Sequence, residues 1–389
     1  MSVTRRLLLT GAAIAMLGGG SVWRAVNQGV FSEGTGPAYE PWRDWRVEGE
    51  LGPLRLVRAA ILGASPHNTQ PWLFRVTDAS IDVWADTRRH IGAIDPYLRE
   101  MYVGVGCALE NLMIAAAREG YVAVPVLMPD AADPAHAAHI HLSPAAPAAS
   151  PLHEAIPRRH TNRGPYDPVR SVPSDVLRSM AEMAPDLPDV KVLWFDSGRD
   201  RRRIGELIVS ATQAIIADRQ QSRDSARWFR ASRQDLERHR DGITLDAQGL
   251  PPMINTLAKM LPAVSSERAE AAWLEATRER HVATAAAFGI LAVPDSRDAR
   301  MRLWGGRMWQ RMHLWATTRG LAMQPLNQVV ERADRERQLG LKPTYTTALA
   351  GLIDPPSLQA LMPFRIGYPV RDAGLSPRRK LEAVLIPAA

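Results

Sequence analysis

The most informative stretch of the sequence reads Ala64-Ser65-Pro66-His67-Asn68-Thr69-Gln70-Pro71-Trp72-Leu73-Phe74. It joins an apolar segment of helical character, 51–63, to an alternating run, 72–76, and therefore predicts a loop between a helix and a strand. Five of the six residues 65–70 have hydroxyl, imidazole or amide side chains, which are neutral hydrogen-bond donors and acceptors. Such a set of groups suits the binding of a planar polar heterocycle. The alternative is a polar turn in which the two prolines are ordinary turn residues.

The segments beyond this loop predict alternating strands and helices. Apolar residues recur at three- and four-residue intervals between Met101 and Glu119, which predicts a buried helix that ends at Gly120. His139 and His141 share one face of a strand, and we favour an exposed face over a metal site because no nearby carboxylate or cysteine completes a ligand set. The predicted strands are 72–76, 81–85, 122–127, 190–195 and 289–293, and the predicted helical segments are 101–119, 174–184, 199–239 and 297–319.

Composition indicates a folded protein. The 389 residues are 46% hydrophobic and 23% charged, and this length favours two units of ordinary domain size. The net charge of +7 permits binding to nucleic acid or anionic surfaces, but the arginines are scattered among acidic residues, so we interpret most of them as solvated helix faces and expect no nucleic-acid partner. The single cysteine, Cys107, excludes an intrachain disulfide and a cysteine-rich zinc site.

The amino terminus resembles a twin-arginine export signal. Arg5 and Arg6 directly precede a mildly apolar run, 7–17, that is too short to predict a spanning helix with any force. This predicts export to the periplasm or cell envelope; the alternative is a basic amphipathic first helix on a cytoplasmic protein. No clear Ala-x-Ala site follows, so cleavage and retention as a membrane tether both stay open. Residues 22–50 lack periodicity and predict a linker.

A second motif opens the other half of the chain. It reads Pro157-Arg158-Arg159-His160-Thr161-Asn162-Arg163-Gly164-Pro165-Tyr166. Guanidinium groups match phosphate or a delocalised ring oxygen bidentately, so the motif suits an anion site. An exposed basic turn explains the same residues equally well.

The two halves repeat their organisation. An apolar helix, a glycine and a strand follow one another in 111–124, around Gly120, and again in 313–324, around Gly320. The order and spacing suggest a duplicated unit of the usual domain size. A duplicated unit within one chain can imitate a symmetric homodimer whose site is built from both halves.

Together these motifs resemble the nitroreductase superfamily. In that superfamily a homodimer holds FMN at its interface, with an Arg-x-Ser-x-Arg type motif from one subunit and a Ser-x-x-Asn-x-Gln-Pro-Trp loop from the other. This chain has the loop only in its first half and the arginine motif only in its second. Phe364-Arg365-Ile366-Gly367-Tyr368-Pro369 and Ser376-Pro377-Arg378-Arg379-Lys380-Leu381-Glu382 are similar to the carboxy-terminal signature of the family. The resemblance extends over 51–385 and is strongest to the fused-half, Acg-like branch.

The resemblance implies an α+β, nitroreductase-like fold in which two tandem half-units pack as a pseudo-dimer around antiparallel or mixed sheets. The implied organisation is a signal-like segment and linker at 1–50, a first half at 51–150 and a second half at 151–389. The segment 222–264 has no counterpart in a minimal half, and a lid over the flavin and extra helical packing are equally compatible with it. A monomer would then act as a pseudo-dimer.

The implied function is that of an FMN-dependent oxidoreductase that reduces nitroaromatics or quinones, with NAD(P)H as a candidate donor. The alternative is a protein that sequesters or stores FMN, because the usual Glu-Gly of the family is replaced by Asn327-Gln328. The flavin itself carries the redox chemistry, so no catalytic acid or base and no metal ligand is assigned. The implied cofactor-binding residues are Ser65, Pro66, Asn68, Gln70, Arg159, Thr161, Arg163, Asn327, Gln328, Arg378 and Arg379.

Overall fold

Two long helices form the centre of the protein, which is described by a computed structural model for residues 25, 27–30, 33–46, 52–261 and 264–387. The predicted signal at Arg5 and Arg6 lies outside these residues. The helices are α1 (Glu40–Arg43), α2 (Leu54–Ala60), α3 (Arg99–Arg118), α4 (Pro151–Ala155), α5 (Ser174–Glu182), α6 (Gly198–Ala217), α7 (Arg219–Ala226), α8 (Arg233–His239), α9 (Pro252–Met260), α10 (Ser266–Glu275), α11 (Ala299–Thr317), α12 (Gln328–Leu339) and α13 (Thr344–Ala350).

Helices α3 and α11 are the central pair, and they end in the same way. Gly120 follows α3 with φ of 82°, and Gly320 follows α11 with φ of 67°. This left-handed conformation suits glycine and ends a helix. In both cases the chain then enters a strand, as the repeated pattern in the sequence predicted.

The central helices cross where each has a glycine. A Cβ added to Gly106 of α3 would meet the carbonyl oxygen of Leu303, and a Cβ added to Gly306 of α11 would meet the carbonyl oxygen of Val103. Each would also lie 2.9 Å from the Cα of the other glycine. The contacts are reciprocal, because each glycine faces the residue three positions before the other. The crossing therefore has the geometry of a local two-fold axis.

The described strands form two four-stranded antiparallel sheets and one short parallel pair. The first sheet has the order β1-β2-β4-β3 and the second has the order β5-β8-β10-β9. This confirms the α+β class. The strands are β1 (Trp72–Val76), β2 (Ser80–Ala85), β3 (Tyr121–Leu127), β4 (His136–Pro144), β5 (Lys191–Phe195), β6 (Phe229–Arg230), β7 (Ile243–Thr244), β8 (Ala287–Val293), β9 (Ala322–Pro325) and β10 (Gln359–Gly367).

The helical region predicted for 199–239 consists of three helices, α6 to α8. The Asp218 side chain accepts hydrogen bonds from the backbone N–H groups of Gln220 and Gln221, so it caps a new helix directly after α6. The two-residue strand β6 then separates α7 from α8.

Each central helix contributes to both hydrophobic cores. Most buried apolar residues of α3 pack with the first sheet, whereas Val103 and Cys107 pack with the second. The reverse holds for α11: most of its buried apolar residues pack with the second sheet, whereas Leu303 and Leu314 pack into the core of the first sheet. The described part of the chain contains no helix that is both long and apolar enough to cross a membrane.

Both chain ends that the structure describes also cross between the halves. Residues 33–46, predicted as linker, include the short helix α1, and Trp42 is buried in the first core. Its indole N–H donates to the carbonyl of Ser376, 2.7 Å away. Near the carboxy terminus, the N–H of Phe74 donates to Val384 and the N–H of Ile386 donates to Phe74. The carboxy-terminal segment therefore lies along the edge of the first sheet.

Candidate functional site

A cavity of about 1100 Å³ lies between the two halves. Glu100, Val103, Gly104 and Cys107 of α3 line one side, and β9 with the start of α12 lines another. This volume slightly exceeds the usual range of about 300–1,000 Å³ for small-molecule and cofactor sites. Residues from both halves are therefore needed to form it.

The loop predicted from the sequence lies at the edge of this cavity in a strained conformation. His67, Asn68 and Gln70 have φ values of 46°, 56° and 52°. Such left-handed backbone is uncommon for residues other than glycine, and clusters of it occur at ligand sites. The Ser65 hydroxyl accepts a hydrogen bond from the N–H of Gln70 at 3.1 Å, and Gln310 of α11 accepts one from the N–H of Ala64 at 3.3 Å.

The amides of Asn68 and Gln70 bind protein groups and do not line the cavity. Asn68 donates to the carbonyl oxygens of Gly242 and Pro377 and accepts from Arg378. The buried Gln70 accepts from the N–H of Arg379 at 2.7 Å and donates to the carbonyl of Arg240 at 2.9 Å. These contacts join the loop of the first half to the carboxy-terminal basic segment.

Arg159 and Arg378 are buried without a carboxylate partner among the described residues. Arg159 donates to the carbonyl of Leu62 at 3.1 Å, and burial lowers its pKa to about 10. Arg378 donates to the carbonyl of Gly63 at 3.3 Å and lies over the ring of Trp42. Burial, and then the charge of Arg159, lowers the pKa of Arg378 well below its usual value. Because a buried charge is stable only when it is paired, this pair favours a bound anion.

A second basic pair lines the cavity itself. Arg163 and Arg280 make long contacts of 3.4 Å to the carbonyls of Ala247 and Gly249, and neither forms an ion pair in the described structure. Burial lowers the pKa of Arg163 to about 10. His281 lies beside them, and burial followed by the nearby arginines lowers its pKa well below 6.5. His281 is therefore neutral, and the positive charge belongs to the arginines.

Asn327 and Gln328 begin helix α12 and line the cavity. Neither Asn327 Oδ1 nor Gln328 Oε1 has a hydrogen-bond partner in the described structure. Unpaired buried amides are rare, because each lost hydrogen bond costs about 1–3 kcal/mol. These two acceptors therefore favour a ligand with donor groups.

The structure thus divides the predicted cofactor residues into two groups. Ser65, Pro66, Thr161, Arg163, Asn327 and Gln328 line the cavity. The other group consists of residues that lie behind the wall, or that join the loop to the carboxy-terminal segment: Asn68, Gln70, Arg159, Arg378 and Arg379. Their role in binding a cofactor stays a prediction.

Sequence reasoning missed several residues that line the cavity. Glu100 and Glu331 lie on different helices, and Arg280 with His281 belongs to a π-helical turn, Ala276–Val282. None of these residues forms a short motif with the others, so only the packing of distant segments reveals them. For Trp309 the sequence gives a partial indication, because its spacing from the other apolar residues of α11 predicts that it is buried, although not that it lines a cavity.

Segment 222–264 forms much of one cavity wall. Phe229, Leu245, Leu250 and Lys259 line the cavity from this side. Lys259 is held by an ion pair of 2.5 Å to Asp246. The segment therefore covers the space that the two motifs border.

The histidines on β4 have a carboxylate neighbour that the sequence did not reveal. His139 Nδ1 lies 2.7 Å and His136 Nε2 lies 2.8 Å from the same oxygen of Asp82 on β2. In the described part of the chain, no three His, Cys, Asp or Glu residues are arranged to hold a metal ion.

Comparison with known proteins agrees with the motif resemblance. Part of the chain is similar to nitroreductases. A Mycobacterium tuberculosis protein named "Putative NAD(P)H nitroreductase" is 37% identical over 109 residues, which are 28% of this chain and 32% of that protein. "Putative NAD(P)H nitroreductase acg" from the same organism is 35% identical over 89 residues, 23% of this chain and 27% of that protein. The matches span about a third of these relatives or less, and no protein-family model matches the chain.

Solved structures of nitroreductases align with much of the chain. The FMN-dependent nitroreductase NfnB from Mycobacterium smegmatis, solved with NADPH, has a TM-score of 0.37 and 19% identity over 61% of this chain and 100% of its own. A nitroreductase with bound FMN from Bacteroides fragilis has a TM-score of 0.34 and 15% identity over 60% of this chain and 95% of its own.

Proposed function

We propose that the chain binds FMN between its two halves and uses it to reduce small oxidised organic molecules, such as nitroaromatics or quinones, with NAD(P)H as electron donor. The observation that carries this proposal is a set of arginines that have no carboxylate partner in the described structure. Arg163 and Arg280 line the cavity, and Arg159 and Arg378 lie behind its wall. A phosphate with close to two negative charges would balance them.

The remaining surface of the cavity suits a flat, partly polar ring. Val103, Trp309 and Met362 supply apolar surface, and Asn327 and Gln328 supply acceptors without partners. An isoalloxazine has both an apolar face and polar edges, so both kinds of group find a partner in it. The residues present therefore fit FMN.

When bound, FMN would supply the electron-transfer chemistry. The chain would bind its phosphate through arginine, orient its ring through the amides at the start of α12, and exclude water with the segment 222–264. Positive charge from Arg163 and Arg280 would favour the reduced, more anionic form of a bound ring. We propose that the same segment acts as a lid, because Phe229, Leu245 and Leu250 place apolar surface along the cavity.

We also propose that the chain is a pseudo-dimer with one cofactor site. The reciprocal contact of Gly106 and Gly306 supports this interpretation, and so does the single occurrence of each motif. A homodimer would have two equivalent sites, whereas the loop here comes only from the first half.

The test is the spectrum of the purified protein, followed by addition of NADH or NADPH without oxygen. We expect about one FMN per chain, bleaching of the flavin absorbance by a nicotinamide, and recovery of the absorbance on addition of a quinone. Two flavins per chain contradict the pseudo-dimer, and none after reconstitution contradicts FMN binding. The matched control is Arg238→Ala, since Arg238 is exposed on α8 and does not line the cavity.

The alternative, FMN storage, is favoured by one observation. Asn327-Gln328 replaces the Glu-Gly of the family beside a cavity that the segment 222–264 already covers. Less room would then remain for a nicotinamide over the flavin. Bound flavin that stays oxidised with both NADH and NADPH, yet is reduced by dithionite, would support storage over turnover.

We propose that Arg5 and Arg6 direct export by the twin-arginine route. The support is their position before the apolar run 7–17. Changing both to lysine should retain the protein in the cytoplasm with its flavin content unchanged. Unchanged export of this variant would show that the arginine pair is incidental.

A further inference from the structure

Two carboxyl groups face each other on the cavity wall. Glu100 lies in the first turn of α3 and Glu331 lies in the first turn of α12, so they come from the two different halves. Both line the cavity and are only 5% and 6% exposed. Their carboxyl groups are within hydrogen-bonding reach of each other. Two ionised carboxylates cannot donate to one another, so this contact requires a proton between them.

The surrounding charges do not compensate for a second negative charge. Arg99 donates to Glu100 at 3.3 Å, but it also pairs with Asp334 at 2.8 Å, and the buried Asp95 lies close by. Arg302 is another cation of this region, and it donates to the carbonyls of Ser296 and Tyr97. Arg337 also pairs with Asp334, at 3.7 Å. Four carboxyl groups therefore share three guanidinium groups, of which only Arg99 touches the pair.

Burial and this charge imbalance hold a proton on the pair. Burial raises the pKa of Glu100 to about 7, and Asp95 adds to the effect while Arg99 opposes it. Burial, followed by the charge of Glu100, raises the pKa of Glu331 well above its usual value. A group whose pKa lies near neutral can both hold and release a proton under working conditions.

A separate feature points to a ligand at the same place. Gln328 precedes Glu331 by one helical turn, is 6% exposed and lines the same cavity, yet its Oε1 has no partner in the described structure. Asn327 lies within hydrogen-bonding reach of Glu100, and its Oδ1 also lacks a partner. The two carboxyl groups therefore lie beside two acceptor atoms, Asn327 Oδ1 and Gln328 Oε1, that have no partner in the described structure and could bind a ligand.

We propose that Glu100 and Glu331 share one proton and donate it to the oxidised substrate in the cavity, an assignment that rests on the proposed function. Reduction of a quinone to a hydroquinone consumes two electrons and two protons, and converts two C=O groups into C–OH groups. The electrons and one proton derive from NAD(P)H through the bound flavin. The other proton leaves the carboxyl pair for a substrate oxygen, and the pair then takes up a proton from solvent through the cavity.

The histidines of the cavity do not serve this role. Burial lowers the pKa of His67 to about 4, with Arg163 adding to the effect, and lowers the pKa of His281 well below 6.5. Both are therefore neutral at pH 7 and have no imidazolium proton to release. Unlike these two histidines, the carboxyl pair has a proton available near neutral pH.

The test compares Glu331→Gln and Glu100→Gln with a matched control, Glu336→Gln. Glutamine keeps the size of the side chain and can donate to the remaining carboxylate, but it cannot release a proton. Glu336 is buried on the same helix, but its carboxylate accepts from the N–H groups of Tyr345 and Thr346 and does not line the cavity. The control therefore tests the effect of removing a buried charge from α12.

The first readout needs no flavin. The infrared band of protonated carboxyl groups in the apoprotein should decline as pH rises through about 7, and either cavity variant should remove that step while Glu336→Gln keeps it. If the wild-type band lacks a step between about pH 5.5 and about pH 9, or if both cavity variants retain it, the shared proton is refuted.

The second readout uses the flavin-loaded protein and a quinone. General acids contribute about a hundredfold or more to rate, so each cavity variant should reoxidise its reduced flavin about a hundredfold more slowly, with flavin content unchanged. The wild-type rate should fall as the pH rises through the step at which the pair loses its last proton. A loaded variant with the wild-type rate and pH profile would overturn the donor role. Failure of the wild type to bind flavin would instead refute the proposed function, and the infrared titration would still decide the shared proton.

Discussion

The crossing of α3 and α11 makes Gly306→Ala the most direct perturbation of the fold. An added Cβ would lie 2.9 Å from the Cα of Gly106, and it would also meet the carbonyl oxygen of Val103. Both partners are backbone atoms in a helix, so neither can rotate away. The two helices must separate, and α3 carries five of the residues that line the cavity.

The size of the effect follows from two opposing terms. Overpacking a tight core costs about 1–3 kcal/mol, and the upper end applies here because backbone must move. Alanine stabilises a helix by about 1 kcal/mol relative to glycine, which leaves a net loss of about 2 kcal/mol. With an unfolding entropy of about 2.1 cal/mol/K per residue over 389 residues, Tm should fall by about 2–3 °C.

Differential scanning calorimetry measures this shift, and Gly198→Ala is the control. Gly198 begins α6, and a Cβ there would lie no closer than 3.7 Å to Arg202 Nη1, so this variant should lose no stability. Gly106→Ala should lower Tm as much as Gly306→Ala does. In the double variant Tm should fall by less than the sum of the two single effects, because helices that one methyl group has already separated accommodate the second. Unchanged Tm in both single variants would refute the close crossing.

Three further predictions concern the cofactor site and pH. Arg163→Ala should weaken FMN binding about ten- to a hundredfold, because a charge-assisted hydrogen bond contributes about 1.5–3 kcal/mol, whereas Arg238→Ala should change it less than about twofold; fluorescence of released flavin measures both. Arg378→Ala should weaken binding as strongly and also loosen the carboxy-terminal segment, which faster proteolysis after residue 370 would report. Stability should fall as pH drops from about 6.5 toward about 4, because burial lowers the pKa of five histidines, so the unfolded chain takes up these protons first: the pKa falls to about 4 for His67 and His153, to about 3 for His160, and well below 6.5 for His281 and His313. They outnumber the four carboxyl groups of the described residues whose raised pKa acts in the opposite direction, Glu33, Asp95, Glu100 and Glu331. Urea titrations that show constant stability across this range would contradict that prediction.

Local patterns in the sequence were sufficient for the elements that build the centre of the fold. The predicted helix 101–119 is α3 within two residues at its start and one at its end, and the predicted strand 72–76 is β1. Both depend on the spacing of apolar residues along a few turns, which a sequence displays directly. The helical region predicted for 199–239 is divided into three helices, and the spacing of apolar residues did not show the first break, where Asp218 caps a new helix.

The residues that line the cavity could be predicted only where they are neighbours in the sequence. Ser65 with Pro66, Thr161 with Arg163, and Asn327 with Gln328 could be found as short motifs, and all six line the cavity. The sequence alone therefore determined which motifs the chain has and the α+β class.

Tertiary structure decided which segments meet. Glu100 and Glu331 are separated by more than two hundred residues, and they face each other because α3 and α12 converge on one cavity. The proximity of Arg159 to Arg378, and the role of Asn68 in holding the carboxy-terminal segment, likewise depend on contacts between the halves. Local spacing does not encode such contacts: they arise from close packing of the whole core, here from two glycines that allow the central helices to touch.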